Sequence, residues 1–173
     1  WVDGILGKAL KFNGINQYVK AGTNNPTINN EITLAVWIYE SNPTNVASPE
    51  NQNPVCYGTT YIQRYLTGGG WRFVINNSGS FATPYEPDLQ KDWHFLTGTW
   101  NKSLSTNQIK FYIDGKLKQT KTGAVISVNG GSLNIGSYSN DGLFFFGLID
   151  NVRIYNRALS QSEISNIYNY YTT

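Results

Sequence analysis

Ten residues in the first quarter of the chain constrain the fold most. In Glu-Ile-Thr-Leu-Ala-Val-Trp-Ile-Tyr-Glu, residues 31–40, an extended backbone puts Ile32, Leu34, Val36 and Ile38 on one face. Thr33, Ala35, Trp37 and Tyr39 fall on the other. Both faces are mostly apolar, so the strand must be covered on two sides, inside a layered structure. Similar runs recur at 17–21, 61–66, 71–76, 93–100, 108–113, 116–120, 132–136 and 147–155. Asp114-Gly115 lies between two of them and predicts a tight hairpin, whose type I′ turn needs positive φ at both central residues. Asn77-Ser78-Gly79 and Asn129-Gly130-Gly131 are further turn clusters, and Asn140-Asp141-Gly142 reads as an ordinary turn. Residues 42–54, with Pro43, Pro49 and Pro54, read as one long irregular loop.

One segment departs from the alternation. Ser160-Gln-Ser-Glu163 is a capping box, in which hydroxyl and carboxylate each satisfy an unpaired helix-end N–H. Leu159 and Ile164 stand where a hydrophobic staple needs them, and Ile164, Ile167 and Tyr168 share a helical face. The expected fold is all-β: a two-sheet antiparallel jelly-roll sandwich with one short C-terminal helix, residues 1–173 forming a single domain. Trp37, Trp93 and Trp100 are expected in the core.

Composition narrows the function. Charged residues make up 14% of the chain, against about 25% in an average soluble protein. The net charge of +2 gives no electrostatic case for nucleic acid or an anionic membrane. The longest apolar stretch, 143–149, is too short for membrane insertion. The start at Trp1, without a charged-then-apolar leader, and the lack of any Met are expected of a piece cut from a longer chain. A lone Cys56 excludes an internal disulfide and a multi-thiolate zinc site. Two glycosylation-type triplets, at Asn76 and Asn101, are no more than chance gives in an Asn-rich chain.

A succession of motifs carries a resemblance. Gly7-Lys-Ala-Leu-Lys-Phe-Asn-Gly14 is followed by Gln17-Tyr-Val19, Trp93-His-Phe-Leu-Thr-Gly-Thr-Trp100 and Phe111-Tyr-Ile-Asp-Gly-Lys-Leu117. Leu133-Asn-Ile-Gly136 then leads to Phe146-Gly-Leu-Ile-Asp-Asn-Val-Arg-Ile-Tyr-Asn-Arg-Ala-Leu-Ser160, with Glu163-Ile164 at the end. The pattern resembles the laminin-G-like jelly-roll domains of the concanavalin A-like superfamily, from about Gly7 to Tyr168; residues 42–87 carry no part of it. The resemblance implies two curved sheets with neighbouring terminal strands, in an extracellular protein, secreted or at the cell surface. It also implies a module that binds glycans or mediates adhesion and often holds calcium.

By that resemblance, Asp150 and Asn13 are the expected ligands of a structural calcium ion. Asn13 stands where the family usually has Asp, which removes a negative charge. The plain alternative is that Asp150 receives strand-end N–H groups and that Asn13-Gly14 is a turn. For a polysaccharide or other glycan, recognition needs aromatic rings beside amide or charged hydrogen-bonders. The central region, which lacks family motifs, offers Tyr61, Gln63, Arg64, Tyr65, Trp71, Arg72 and Tyr85, with Tyr57 and Asn76 nearby. Tyr61, Gln63 and Tyr65 share one strand face. Phe144-Phe145-Phe146 is a candidate loop tip with at least one ring filling the core.

His94 reads as a hydrogen-bonded structural residue, and Arg153 and Arg157 as local partners of acids or carbonyls near the helix. No two Glu residues share a strand face at the spacing a glycosidase pair needs, and His94 has no nucleophile elbow to serve. Nothing around Cys56 marks an activated thiolate. The expected function is a non-catalytic carbohydrate-binding module; the alternative is a structural or adhesion domain that binds a surface protein.

Overall fold

In a computed structural model, the structure describes residues 1–40, 51–65, 70–76, 80–87, 89, 91–123, 127–138 and 142–173. The Asn77 and Asn140 turn clusters, and residues 42–50 of the expected loop, lie wholly or partly outside the described residues. Among those described, thirteen strands form two antiparallel sheets. The seven-stranded sheet runs β1 (Val2–Asp3), β2 (Lys8–Asn13), β13 (Phe146–Tyr155), β4 (Glu31–Glu40), β9 (Trp93–Asn101), β10 (Ile109–Ile113) and β11 (Lys116–Lys121). The six-stranded sheet runs β3 (Val19–Asn25), β12 (Gly131–Ile135), β5 (Asn51–Tyr57), β6 (Thr60–Tyr65), β7 (Gly70–Asn76) and β8 (Ser80–Ala82). This is the two-sheet sandwich that the alternation predicts. The last strand, β13, inserts between β2 and β4, which sets the two ends of the chain one strand apart in this sheet.

The core lies between the sheets. Ile32, Leu34, Val36 and Ile38 of β4 meet Val55, Ile62, Trp71 and Phe73 of the opposite layer. Contact is close: a Cβ on Gly98 of β9 would sit 2.1 Å from the Phe73 ring, so only glycine fits there. The outer side of β4 also buries Ala35 and Trp37, but beneath the helix α1 (Gln161–Thr172). Trp37 stacks on Tyr168 at 5.5 Å, so both apolar faces of β4 are covered, one by each neighbouring layer. Trp100 is fully buried, whereas Trp93 is only half-buried at the rim of the helix cluster, short of the core position expected for it.

The expected capping box is present. Glu163 N–H donates to Ser160 Oγ at 3.3 Å, and Ser160 N–H donates to Glu163 Oε2 at 2.8 Å. The Asp114-Gly115 hairpin has φ of 52° and 72°, as a type I′ turn requires. One expectation needs correction: residues 51–54 are not loop but the start of β5, a strand with neighbours on both sides. Pro54 has no N–H for a ladder, and the register shifts between Gln52 and Val55, which lets the proline sit in a bulge.

Candidate functional site

Strand pairing sorts the central side chains by face. Gln63 lies opposite Arg72 and Arg64 opposite Trp71, so these two pairs point to opposite sides of the six-stranded sheet. The inward pair is a correction to the sequence-based list. Trp71 is 0% exposed and packs in the core at 6.4 Å from the Phe145 ring. Arg64 is 1% exposed, and its guanidinium pairs with Glu40 of the other sheet at 2.8 Å. Neither residue reaches an outer ligand.

Tyr61, Gln63, Tyr65, Arg72 and Tyr85 do come together on the outer face. Tyr65 and Tyr85 stack at 5.6 Å with an interplanar angle of 20°. The Arg72 guanidinium carbon lies 4.7 Å from the Tyr85 centroid and 5.5 Å from that of Tyr65. Arg72 Nε and Nη2 both donate to Gln63 Oε1, at 3.1 and 2.7 Å. Cation–π contact and hydrogen bonds thus fix the guanidinium plane before any ligand arrives. Tyr61 forms the floor, 8% exposed under the edge-on ring of Tyr138 at 4.9 Å. Burial, and then Tyr138, push the Tyr61 phenol up to about 12.

Three residues of this face were not singled out from the sequence. Asn53 accepts from Gln63 Nε2 at 3.4 Å, Asn134 lies opposite Cys56, and Tyr138 caps Tyr61. The signal for Asn134 was available: Leu133 and Ile135 pack inward, so the residue between them faces out. Asn53 was hidden by its proline-rich context.

Asn13 and Asp150 do not make a common site. Asn13 pairs with Phe146, four positions before Asp150 on β13, which separates the two by about 13 Å along the strands. Asn13 Oδ1 accepts from the Ile15 and Asn16 N–H groups, which closes a turn. Asp150 Oδ2 accepts from Ile5 N–H at 3.1 Å, and Oδ1 from Asn151 N–H at 2.7 Å. Both oxygens already serve strand-end donors, so this pair does not fit a shared calcium ion. Among the described residues no three His, Cys, Asp or Glu side chains gather as a metal cluster.

The remaining candidates have structural settings. His94 Nδ1 lies 2.8 Å from Asp114 Oδ2, beside the hairpin. Arg157 pairs with Glu163 at 2.6 Å, and Arg153 hydrogen-bonds the Tyr171 hydroxyl rather than an acid. Phe145 fills the core, while Phe144 packs against Tyr18 at 6.2 Å.

A family model described as the concanavalin A-like lectin/glucanases superfamily matches residues 13–165. No curated protein matches the chain by sequence. Among solved structures, domain 4 of an extracellular arabinanase from Geobacillus stearothermophilus, in complex with arabinotriose, is similar with a TM-score of 0.72 and 22% identity. That match covers 96% of this chain and 79% of the other. The binding domain of Paraclostridial mosquitocidal protein 1 gives 0.70 and 19%, over 98% of this chain and 45% of that one. A Trypanosoma rangeli sialidase gives 0.63 and 18%, with 92% of this chain matching only 27% of the enzyme. At these identities the likeness shows the fold.

Proposed function

Since the chain belongs to the concanavalin A-like lectin/glucanases superfamily, we propose that it is a non-catalytic carbohydrate-binding module of a secreted or surface protein. The observation that supports this reading most is the prearranged Tyr65–Tyr85–Arg72–Gln63 cluster on the outer face of β6 and β7. Stacked rings match the apolar C–H faces of a sugar, and the amide and guanidinium groups match its polar rim. A relative of the same fold is described in complex with arabinotriose. The six strands of this sheet carry no Asp or Glu, so they hold no carboxylate pair of the kind glycoside hydrolysis uses.

A glycan array that includes arabino-oligosaccharides tests the proposal, with Tyr85→Ala and Tyr65→Ala beside the unaltered protein. Binding by the unaltered chain, weakened about tenfold in each variant, is the expected result. Silence across the array would instead favour the adhesion reading.

A further inference from the structure

Acidic residues are divided unevenly between the two layers. The seven-stranded sheet carries Asp3, Glu31, Glu40 and Asp150 beside six lysines and Arg153. The six-stranded sheet carries only cations: Lys20, Arg64 and Arg72. Arg64 points inward and is neutralised by Glu40. Arg72 has no carboxylate partner among the described residues, and neither does Lys20. Lys20 is exposed, and it lies opposite Asn134 in the row that continues through Cys56, Tyr61 and Val74. The two charged side chains on the outward side of these strands, Lys20 and Arg72, are thus both cationic, although the whole chain is close to neutral.

The geometry of Arg72 sharpens this. A guanidinium has two edges that suit a planar oxyanion. One edge, Nε with Nη2, is occupied by Gln63 Oε1. The other edge, Nη1 with the second hydrogen of Nη2, has no protein acceptor among the described residues. The aromatic contacts and Gln63 hold it in place, so its entropy is already reduced. A carboxylate accepts two parallel N–H bonds from such an edge, whereas a lone hydroxyl uses it poorly.

Resting on the carbohydrate-binding reading above, we propose that the ligand of this face is an acidic glycan whose sugar carboxylate docks on the free edge of Arg72. The sugar's ring stacks beside Tyr65 and Tyr85. Lys20 is four strand spacings away, about 19 Å, and meets a further carboxylate of an extended chain that crosses the sheet.

The test is calorimetry on the whole chain with oligogalacturonate, oligoglucuronate and sialylated oligosaccharides, each paired with its carboxyl-reduced form. Oligoglutamate serves as a non-sugar polyanion. The expected result is that at least one acidic oligosaccharide binds about tenfold or more tighter than its reduced partner, with an advantage that shrinks as salt rises. Arg72→Gln removes the preference, and Arg72→Lys keeps the salt dependence while losing most of the affinity. Circular dichroism of both variants checks that they fold. Every reduced form binding as well as its acidic partner, or Arg72→Gln leaving the preference intact, overturns the acidic assignment while carbohydrate binding stands. Oligoglutamate binding as tightly as the best sugar overturns the glycan identity, and failure of every oligosaccharide in this panel overturns the acidic assignment, with the glycan array deciding whether carbohydrate binding stands.

Discussion

Adjacent residues on β6 and β7 have unrelated roles because the pleat sends them to different solvents. Trp71→Ala opens a cavity in the core and should lower stability by about 3–5 kcal/mol. Arg64→Ala leaves Glu40 buried without its cation, a loss of about 3–5 kcal/mol. Tyr85→Ala, one strand away on the outer face, should change stability by under about 1.5 kcal/mol while weakening glycan binding about tenfold. Chemical denaturation beside glycan titration separates the two classes, and a stable Trp71→Ala variant would contradict the inward assignment. Cys56 gives a simpler check. Burial pushes its thiol up to about 12, so a disulfide reagent should react with it only after the protein is unfolded by urea. At this scale the sequence showed which residue types were present but not which way the list divides. Alternation alone grouped Tyr61, Gln63 and Tyr65 and set Arg64 on the opposite face; that this face is the inward one, shared with Trp71, required the pairing of β6 with β7, a long-range property.

Local chemistry made most elements readable. The capping box fixes where α1 begins, and the Asp-Gly pair fixes the β10–β11 hairpin, because each signal acts within a few residues. β5 was missed because Pro54 argues against a strand, and only the bulge, which depends on β6, reverses that. The start of α1 also carries a pH signature. The Arg157 hydrogen bond, followed by those from Ser160, lowers the Glu163 carboxyl from its ordinary 4.5 to about 2. A depressed carboxyl contributes its full stabilisation above about pH 4.5 and loses it as the pH falls toward 2. Thermal melts across that window should show the helix loosening from the sheet in acid. Glu163→Gln should lower the melting temperature near neutral pH and flatten this part of the acid dependence.

On the scale of the whole molecule, the two outer surfaces have different jobs. α1 covers the outer side of the seven-stranded sheet with Ile164, Tyr168 and Tyr171, and the opposite surface carries the polar and aromatic cluster. The sandwich was legible from periodicity, and the nearness of its terminal strands from the family resemblance. The expected Asn13–Asp150 metal pair was not, because adjacent strands do not imply adjacent residues: their register separates the two. Replacing Asp150 by Ala should loosen the N-terminal turn through loss of the Ile5 tie. Native-state hydrogen exchange should report this as faster exchange at Ile5, while the β6 and β7 amides stay unchanged.

The insertion of β13 between β2 and β4 also orders events in time. A ribosome that has delivered residue 135 has made every strand of the six-stranded layer, yet the other layer still has a gap one strand wide. The missing piece ends at Tyr155, about 1–4 s later at ordinary translation speeds. Until then β2 and β4 present open backbone edges to anything nearby, so a nascent chain stalled in that interval should be held by chaperones or should aggregate. The newborn domain is most vulnerable in the interval before β13 is made.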